Sequence, residues 1–217
     1  MDEPQATSRK QPGADPAVDA IIDAALEEIA TYGSRRARMT DIARRAGVSS
    51  ATLYRRFETK QQLTEAAMIR EAERFVDAMR EVVAREETAE GTVVESFAFA
   101  VEYVRDNTIL TRLIEAEPDA IVPALTTGAE QLVAQTSNFM LQVNAENLFV
   151  DAADWDARLA RERIELVVRI FISLLLTPSG AIDLSNATAC REFARRSIVP
   201  LVVQAAEPKT RRRKPSA

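Results

Sequence analysis

The sequence predicts an all-α protein with a small N-terminal head of three helices and a larger C-terminal helical body, about nine helices in total. Only six of the 217 residues are glycine, whereas helix-favouring alanine, leucine, glutamate and arginine are abundant. Aromatic residues make up 6% of the chain and β-branched runs are short, so a large sheet is not expected.

Residues typical of helix ends mark the limits of the first two helices of the head. Asp15 and Pro16 predict an N-cap followed by proline at the first helical position, and Gly33 predicts the end of that helix. Thr40 predicts the cap of a second helix, and Gly47 predicts its end. We therefore expect a short helix followed by a glycine turn.

Two more helices follow the glycine turn. Ser49 or Ser50 predicts the start of a short third helix, and Thr59 predicts the cap of a fourth that runs from residue 60 to about 85. The predicted domain organisation is a disordered arm at 1–14, a head at 15–62, a body at 63–206 and a disordered basic tail at 207–217.

The body has the apolar periodicity of a series of helices. Gly91 is expected to begin a new unit, Pro118 and Pro123 to bracket a turn, and Pro200 to kink the last helix. A polar break is expected at 151–154. The predicted helices of the body cover residues 92–107, 108–115, 126–144, 155–176 and 186–204.

Charge is distributed unevenly along the chain. The net charge is −5, but residues 35–60 contain eight basic and two acidic residues and carry +6, which leaves −11 for the remainder. A basic head on an acidic body is compatible with a polyanionic partner, because the local charge balance matters more than the sum.

Residues 40–57 have the composition of two short helices joined by a tight turn. The small side chains of Ala43 and Ala46 let the helices cross closely, and Gly47 suits the turn. Ile42, Leu53 and Phe57 would anchor both helices to the first and fourth helices. The side chains left at the surface are Ser49, Ser50, Thr52, Tyr54, Arg55 and Arg56. Hydroxyls at a helix N-terminus can bond phosphates, and the second helix can enter a major groove, so the segment predicts a helix-turn-helix that binds double-stranded DNA.

The order of residues from 40 to 63 is Thr-x-Ile-Ala-x-x-Ala-Gly-Val-Ser-x-Ala-Thr-Leu-Tyr-x-x-Phe-x-Thr-Lys-x-x-Leu, which resembles the TetR family of regulators. The resemblance is specific over about residues 16–66. It implies a dimeric, cytoplasmic repressor that leaves a palindromic operator when a small ligand binds. It also implies that the last two helices form the homodimer interface.

The resemblance assigns roles to individual side chains of the head. It implies phosphate contacts from Thr40, Tyr54 and Lys60, and base or backbone contacts from Ser50, Thr52 and Arg55. Arg56 stands where many relatives carry histidine, and Ala51 replaces a common glycine. The full predicted DNA-binding set is Arg38, Thr40, Ser49, Ser50, Thr52, Tyr54, Arg55, Arg56 and Lys60.

Adaptable apolar side chains in the body suit a hydrophobic ligand, since Met and Phe fit irregular shapes. The candidate set is Phe75, Met79, Phe97, Tyr103, Leu110, Leu113, Leu125, Phe139, Met140 and Phe171. Segments 111–128 and 173–184 resemble actinobacterial TetR-type regulators of lipid or alkane metabolism, which implies a long-chain acyl ligand. A closed core without ligand is the open alternative.

Composition argues against an enzyme. The chain has no histidine, which removes histidine-dependent nucleophiles and metal sites, and its one cysteine cannot form an intramolecular disulfide. We expect no cofactor, no metal and no membrane association. Two alternatives remain: a regulator without a small-molecule ligand, controlled by abundance or a protein partner, and, more remotely, a helical lipid carrier or enzyme.

Overall fold

The computed structural model of the chain describes residues 15–148 and 157–203. All regular secondary structure in these two ranges is helical, which confirms the predicted all-α class. No helix within them combines the length and the apolar character needed to cross a bilayer. The predicted arm, the polar break at 151–154, residues 155–156 and the tail lie outside the described ranges.

Backbone contacts divide the chain into two compact units, residues 1–73 and 74–217. This division falls within one long helix, α4 (Lys60–Val83). The predicted limit between residues 62 and 63 lies in the same helix. The domain limits stated above stay predictions. The first unit contains α1 (Pro16–Tyr32), α2 (Met39–Arg45), α3 (Ser50–Arg56) and the beginning of α4.

Local signals place the ends of α1 as predicted. Asp15 is the N-cap, and its Oδ1 accepts a hydrogen bond from the backbone N–H of Ala17 at 3.0 Å. Pro16 occupies the first helical position, where no N–H is needed. Gly33 ends the helix with φ +80°, a left-handed conformation that glycine adopts without a side-chain penalty.

The predicted cap of α2 is wrong. The helix begins at Met39, Arg38 occupies the N-cap position without a side-chain hydrogen bond, and Thr40 lies exposed in the first turn. The apolar pattern explains the shift, because buried Met39, at 8% exposure, already belongs to the inward face with Ile42.

Thr59 caps α4 as predicted. Its Oγ1 accepts from the backbone N–H of Gln62 at 3.2 Å, while Gln62 Oε1 accepts from the backbone N–H of Thr59 at 3.3 Å. This reciprocal pair is a capping box, and it fixes the start of α4 immediately after α3.

The described part of the second unit continues after α4 with further helices, some of which build its main apolar core. They are α5 (Ala89–Asp106), α6 (Thr108–Ala116), α7 (Pro118–Leu125), α8 (Glu130–Leu148), α9 (Ala157–Leu176), α10 (Ala187–Phe193) and α11 (Val199–Val202). Val94 and Phe97 of α5, Val133 of α8 and Val168 of α9 are members of this core. α5 starts earlier than predicted because Thr88 caps it, accepting from the Gly91 N–H, so that glycine lies inside the first turn.

The segment between Pro118 and Pro123 is a helix and not the predicted turn. Pro118 stands in the first turn of α7, where its missing N–H costs nothing. Pro123 falls near the end of the same short helix, and its carbonyl accepts from the Gly128 N–H at 2.8 Å. One proline therefore starts this helix and the other lies two residues before its end, and α7 adds to the predicted number of helices.

The expected disturbance around Pro200 is a π-helical turn at Ala194–Ile198, which joins α10 to α11. Proline lacks an N–H and its ring collides with the carbonyl four residues earlier, so the wider turn before Pro200 accommodates it. Arg191 of α10 donates through Nε to both carboxylate oxygens of Glu95, at 2.8 and 2.9 Å, which ties α10 to α5.

Candidate nucleic-acid interface

A tight turn sets the geometry of α2 and α3. Gly47 has φ +69°, and the backbone N–H of Val48 donates to the carbonyl of Ala43 at 3.0 Å. Leu53 is completely buried, while Ile42 and Ala43 are 2% and 1% exposed. Two of the three predicted anchors, Ile42 and Leu53, are therefore buried, whereas Phe57 is only half-buried. The exposed positions of α3 are left for contacts with other molecules.

The outward side of α3 carries three of the predicted DNA-binding residues. Ser50 and Arg55 are exposed, and the Tyr54 side chain is 48% exposed although it is large and aromatic. Thr40 is exposed at the start of α2. An exposed tyrosine flanked by hydroxyl and guanidinium groups suits contacts to phosphates and base edges.

Two of the predicted hydroxyls make contacts within the head. Ser49 caps α3, because its Oγ accepts from the backbone N–H of Thr52 at 3.1 Å. The Oγ atoms of Ser49 and Thr52 also lie 3.0 Å apart, within hydrogen-bonding distance. Both hydroxyls therefore stabilise the start of α3, and their proposed DNA contacts stay predictions.

Arg45 joins α2 to α1 through two carboxylates. Its Nη1 lies 3.1 Å from Glu27 Oε2 and its Nη2 lies 3.1 Å from Glu28 Oε2. Glu28 is 4% exposed, so this is a carboxylate that burial would penalise without its cation. Hydrogen bonding to Glu27 and Glu28 raises the pKa of Arg45 above its ordinary value.

Other cations of the basic segment are also paired. Arg44 contacts Asp41 at 2.8 Å, and Arg56 pairs with Asp15, the N-cap of α1. Lys60 donates through Nζ to the carbonyl of Arg35 at 2.8 Å. An ammonium has three donors, so this contact orients Lys60 and leaves donors for a phosphate.

The exposed arginines Arg36, Arg38 and Arg55 have no ion pair among the described residues. Arg36 was not among the sequence candidates, although its place in the basic run before α2 was a signal. Glu28 was also missed. It falls on the apolar stripe of α1 with Ile21 and Ala25, where an ionisable residue signals a buried partner.

A second group of predicted residues meets inside the second unit. Met79 of α4 is completely buried, and Phe75, Phe139, Met140 and Phe171 pack against its cluster. The Phe75 ring lies 5.1 Å from the Tyr103 ring. Phe97 joins through Phe171, at 6.4 Å between ring centroids. Seven of the ten candidates are thus connected by described contacts.

The other three ligand candidates lie on α6 and α7. Leu113 is 6% exposed, and Leu110 and Leu125 are half-buried. α6 packs against both α5 and α7. The ligand role of the whole set stays a prediction.

Comparisons with known proteins agree with the geometry of the head. A family model described as "Bacterial regulatory proteins, tetR family" matches residues 21–67. The "Uncharacterized HTH-type transcriptional regulator Rv1255c" of Mycobacterium tuberculosis (strain ATCC 25618 / H37Rv) is 28% identical over 190 residues, 87% of each chain.

Two solved structures share the fold. The TetR family repressor AlkX from Dietzia sp. strain DQ12-45-1b matches with a TM-score of 0.62 and 22% identity, over 91% of this chain and 100% of that chain. FadR from Bacillus subtilis, in complex with stearoyl-CoA, matches with a TM-score of 0.50 and 17% identity, over 81% and 96%. The family model, the relative and the helix-turn-helix lead to one conclusion: residues 21–67 are a DNA-binding head of the tetR type, and the chain is a DNA-binding transcriptional regulator.

Proposed function

We propose that this regulator is a cytoplasmic homodimeric repressor that binds a palindromic operator and leaves it when a hydrophobic long-chain acyl or alkyl molecule binds its second unit. The observation that carries the ligand assignment is the cluster around Met79, in which Phe75, Phe139 and Phe171 bring α4, α8 and α9 together. These side chains are half-buried, which leaves part of their apolar surface for a hydrocarbon chain.

The names of related proteins support a hydrocarbon ligand. AlkX from Dietzia is a repressor implicated in biodegradation of n-alkanes. The structure of FadR from Bacillus subtilis contains stearoyl-CoA. An n-alkane and the stearoyl group both contain a saturated hydrocarbon chain. A cluster of aromatic and methionine side chains would recognise such a chain here.

Apolar exposure on the last helices supports the homodimer. Leu166 of α9 is 45% exposed, and further apolar residues of the last helices are only partly buried: Ile170, Leu174, Val199, Leu201 and Val203. A second copy would cover these side chains. A symmetric dimer would present two α3 helices to successive major-groove faces about 34–36 Å apart, or a multiple of that spacing.

The α4 helix could transmit the effect of ligand binding to the head, because it runs without interruption through both units. Residues 60–73 belong to the first unit and residues 74–83 to the second, within one uninterrupted helix. A ligand that contacts Phe75 and Met79 would act on the helix that follows α3. It must bind the DNA-incompetent state more tightly than the DNA-bound state, since only differential affinity shifts an equilibrium.

A regulator without a small-molecule ligand is the second candidate. Met79 and Phe97 are 0% and 4% exposed, as expected for a core that is already filled. Abundance or a protein partner would then control operator occupancy.

Operator release separates the two candidates. We would select an operator from random duplex DNA with the full chain and measure its dissociation constant with and without stearoyl-CoA, hexadecane and unacylated coenzyme A. Ligand control predicts that stearoyl-CoA or hexadecane weakens operator binding by about 5- to 150-fold and that unacylated coenzyme A has no effect. Phe139→Ala should reduce this response, and Leu132→Ala, at the exposed position of the same helix, should not. An unchanged operator affinity with both hydrocarbon compounds contradicts ligand control and favours the second candidate.

A further inference from the structure

Three buried hydroxyl groups in the second unit make no hydrogen bond within the described part of the chain. They belong to Thr92 and Ser96 of α5 and to Ser137 of α8, which are 0%, 8% and 2% exposed. The fourth buried side-chain oxygen of this kind, Glu102 Oε1, has an ionic partner, since it lies 3.9 Å from Arg191 Nη1. Among the buried side-chain oxygens of the described residues, these hydroxyls therefore lack a hydrogen-bond or ionic partner, and burying a hydroxyl unpaired is unfavourable.

Elsewhere in the chain, helical threonine hydroxyls are paired by the backbone of their own helix, but these three hydroxyls are not. A helical threonine can donate to the backbone carbonyl four residues earlier. Four threonines do so at distances of 2.7–2.9 Å, namely Thr31, Thr64, Thr111 and Thr126. Thr92, Ser96 and Ser137 leave this bond unmade, so their hydroxyls are available to a partner from outside the chain.

Helical periodicity aligns these hydroxyls with members of the Met79 cluster. Thr92, Ser96 and Ala100 are spaced by four residues and share one face of α5. Ala100 belongs to the Met79 cluster. Ser137 lies one turn before Met140 on α8, and Met140 packs against both this cluster and the main core. Ser96 and Ser137 thus each lie about one helical turn from a residue of this apolar and aromatic cluster.

We propose that Thr92, Ser96 and Ser137 form a polar subsite that recognises an uncharged hydrogen-bonding group on the ligand, such as a hydroxyl or an ester or thioester carbonyl. The proposal rests on the ligand response above and narrows it to amphipathic molecules with one such group on a hydrocarbon chain. Three neutral hydroxyls suit a neutral group, because burying an ionised carboxylate requires a compensating cation.

A cycle of protein and ligand changes tests the subsite. We would measure dissociation constants of 1-octanol and octane for the full chain and for the Thr92→Val, Ser96→Ala and Ser137→Ala variants. Thr111→Val is the control, because that hydroxyl already has a carbonyl partner in the same unit. Comparing the octanol-to-octane affinity ratio between variants cancels the difference in hydration of the two compounds.

The subsite predicts that the ratio falls by roughly two- to tenfold in at least one of the three variants and stays constant in Thr111→Val. The melting temperatures of free Thr92→Val, Ser96→Ala and Ser137→Ala should be unchanged or higher, since an unpaired hydroxyl is removed. An unchanged ratio in all three variants contradicts the subsite, and would mean that water satisfies these hydroxyls, while the ligand response stands. Absence of binding by both compounds contradicts the subsite, and operator release by stearoyl-CoA or hexadecane then decides separately whether the ligand response stands.

Discussion

The Leu53→Ala variant is expected to lose operator binding while its second unit stays folded. Leu53, on the short helix α3, is completely buried. Truncating a buried leucine costs about 2–5 kcal/mol, since it removes apolar contacts and leaves a cavity. α2 and α3 have only seven residues each, so they depend on such packing for stability.

Hydrogen exchange and DNA titration together measure this effect. Backbone amides of α2 and α3 should exchange faster in Leu53→Ala, while those of α5 and α9 should keep their protection. Ile69→Ala is the matched control: this residue of the first unit is 61% exposed, and its loss should change stability by less than about 0.5 kcal/mol. Native protection of α3 and native operator affinity in Leu53→Ala would contradict the packing described for the head.

Removing the buried carboxylate of Glu28 is expected to give the second large effect. Glu28→Ala leaves Arg45 without its buried partner and should lower the stability of the head by about 1–3 kcal/mol. The value lies below that for a fully buried pair because the Arg45 side chain is 40% exposed and water replaces part of the contact. Operator affinity should fall as α2 becomes less firmly held against α1.

Glu27→Ala provides a matched control on the same arginine. Glu27 lies at the same 3.1 Å from Arg45, but its side chain is 63% exposed, against 5% for Glu28. An exposed ion pair contributes less than about 1 kcal/mol, so this variant should stay close to wild type in exchange rates and operator affinity. Equal losses in the two variants would contradict the importance of burial in this contact.

Features with local signals could be predicted from the sequence. Asp15 and Gly33 mark the ends of α1, Thr59 caps α4, and Gly47 forms the turn before α3. Each depends on residues within a few positions along the chain, so composition and spacing suffice. The all-α class and the resemblance of the head to the TetR family follow from the same kind of pattern.

Features that depend on distant residues were not predictable in this way. The contact between Glu28 and Arg45 joins positions 17 apart in sequence, and Arg56 reaches back to Asp15 at the start of α1. These pairs neutralise part of the basic run that the sequence counts as available to DNA. The helix between Pro118 and Pro123 was missed because proline is acceptable at a helix start, a position that the residue type alone does not identify.

The residues of the candidate ligand set could be identified from the sequence, but the contacts between them could not. Met79 and Phe75 could be identified as adaptable apolar residues, and helix packing brings them together with Phe139 and Phe171. The unpaired hydroxyls of Thr92 and Ser137 carried no sequence signal, because serine and threonine in helices are ordinary and usually bonded to their own backbone.

The salt dependence of operator affinity tests most directly whether the head binds the DNA backbone. We would measure the slope of log affinity against log salt concentration for wild type, Lys60→Ala, Arg55→Gln and Arg85→Ala. The first two substitutions remove predicted contacts, and the third removes a cation of the second unit whose side chain is 75% exposed. We predict a steep negative slope for wild type, and lower affinity with a slope reduced in magnitude by about 0.9 per lost phosphate contact in Lys60→Ala. Arg55→Gln should also weaken binding, and Arg85→Ala should match wild type. Wild-type affinity and slope in both Lys60→Ala and Arg55→Gln would contradict the assignment of DNA binding to this helix-turn-helix.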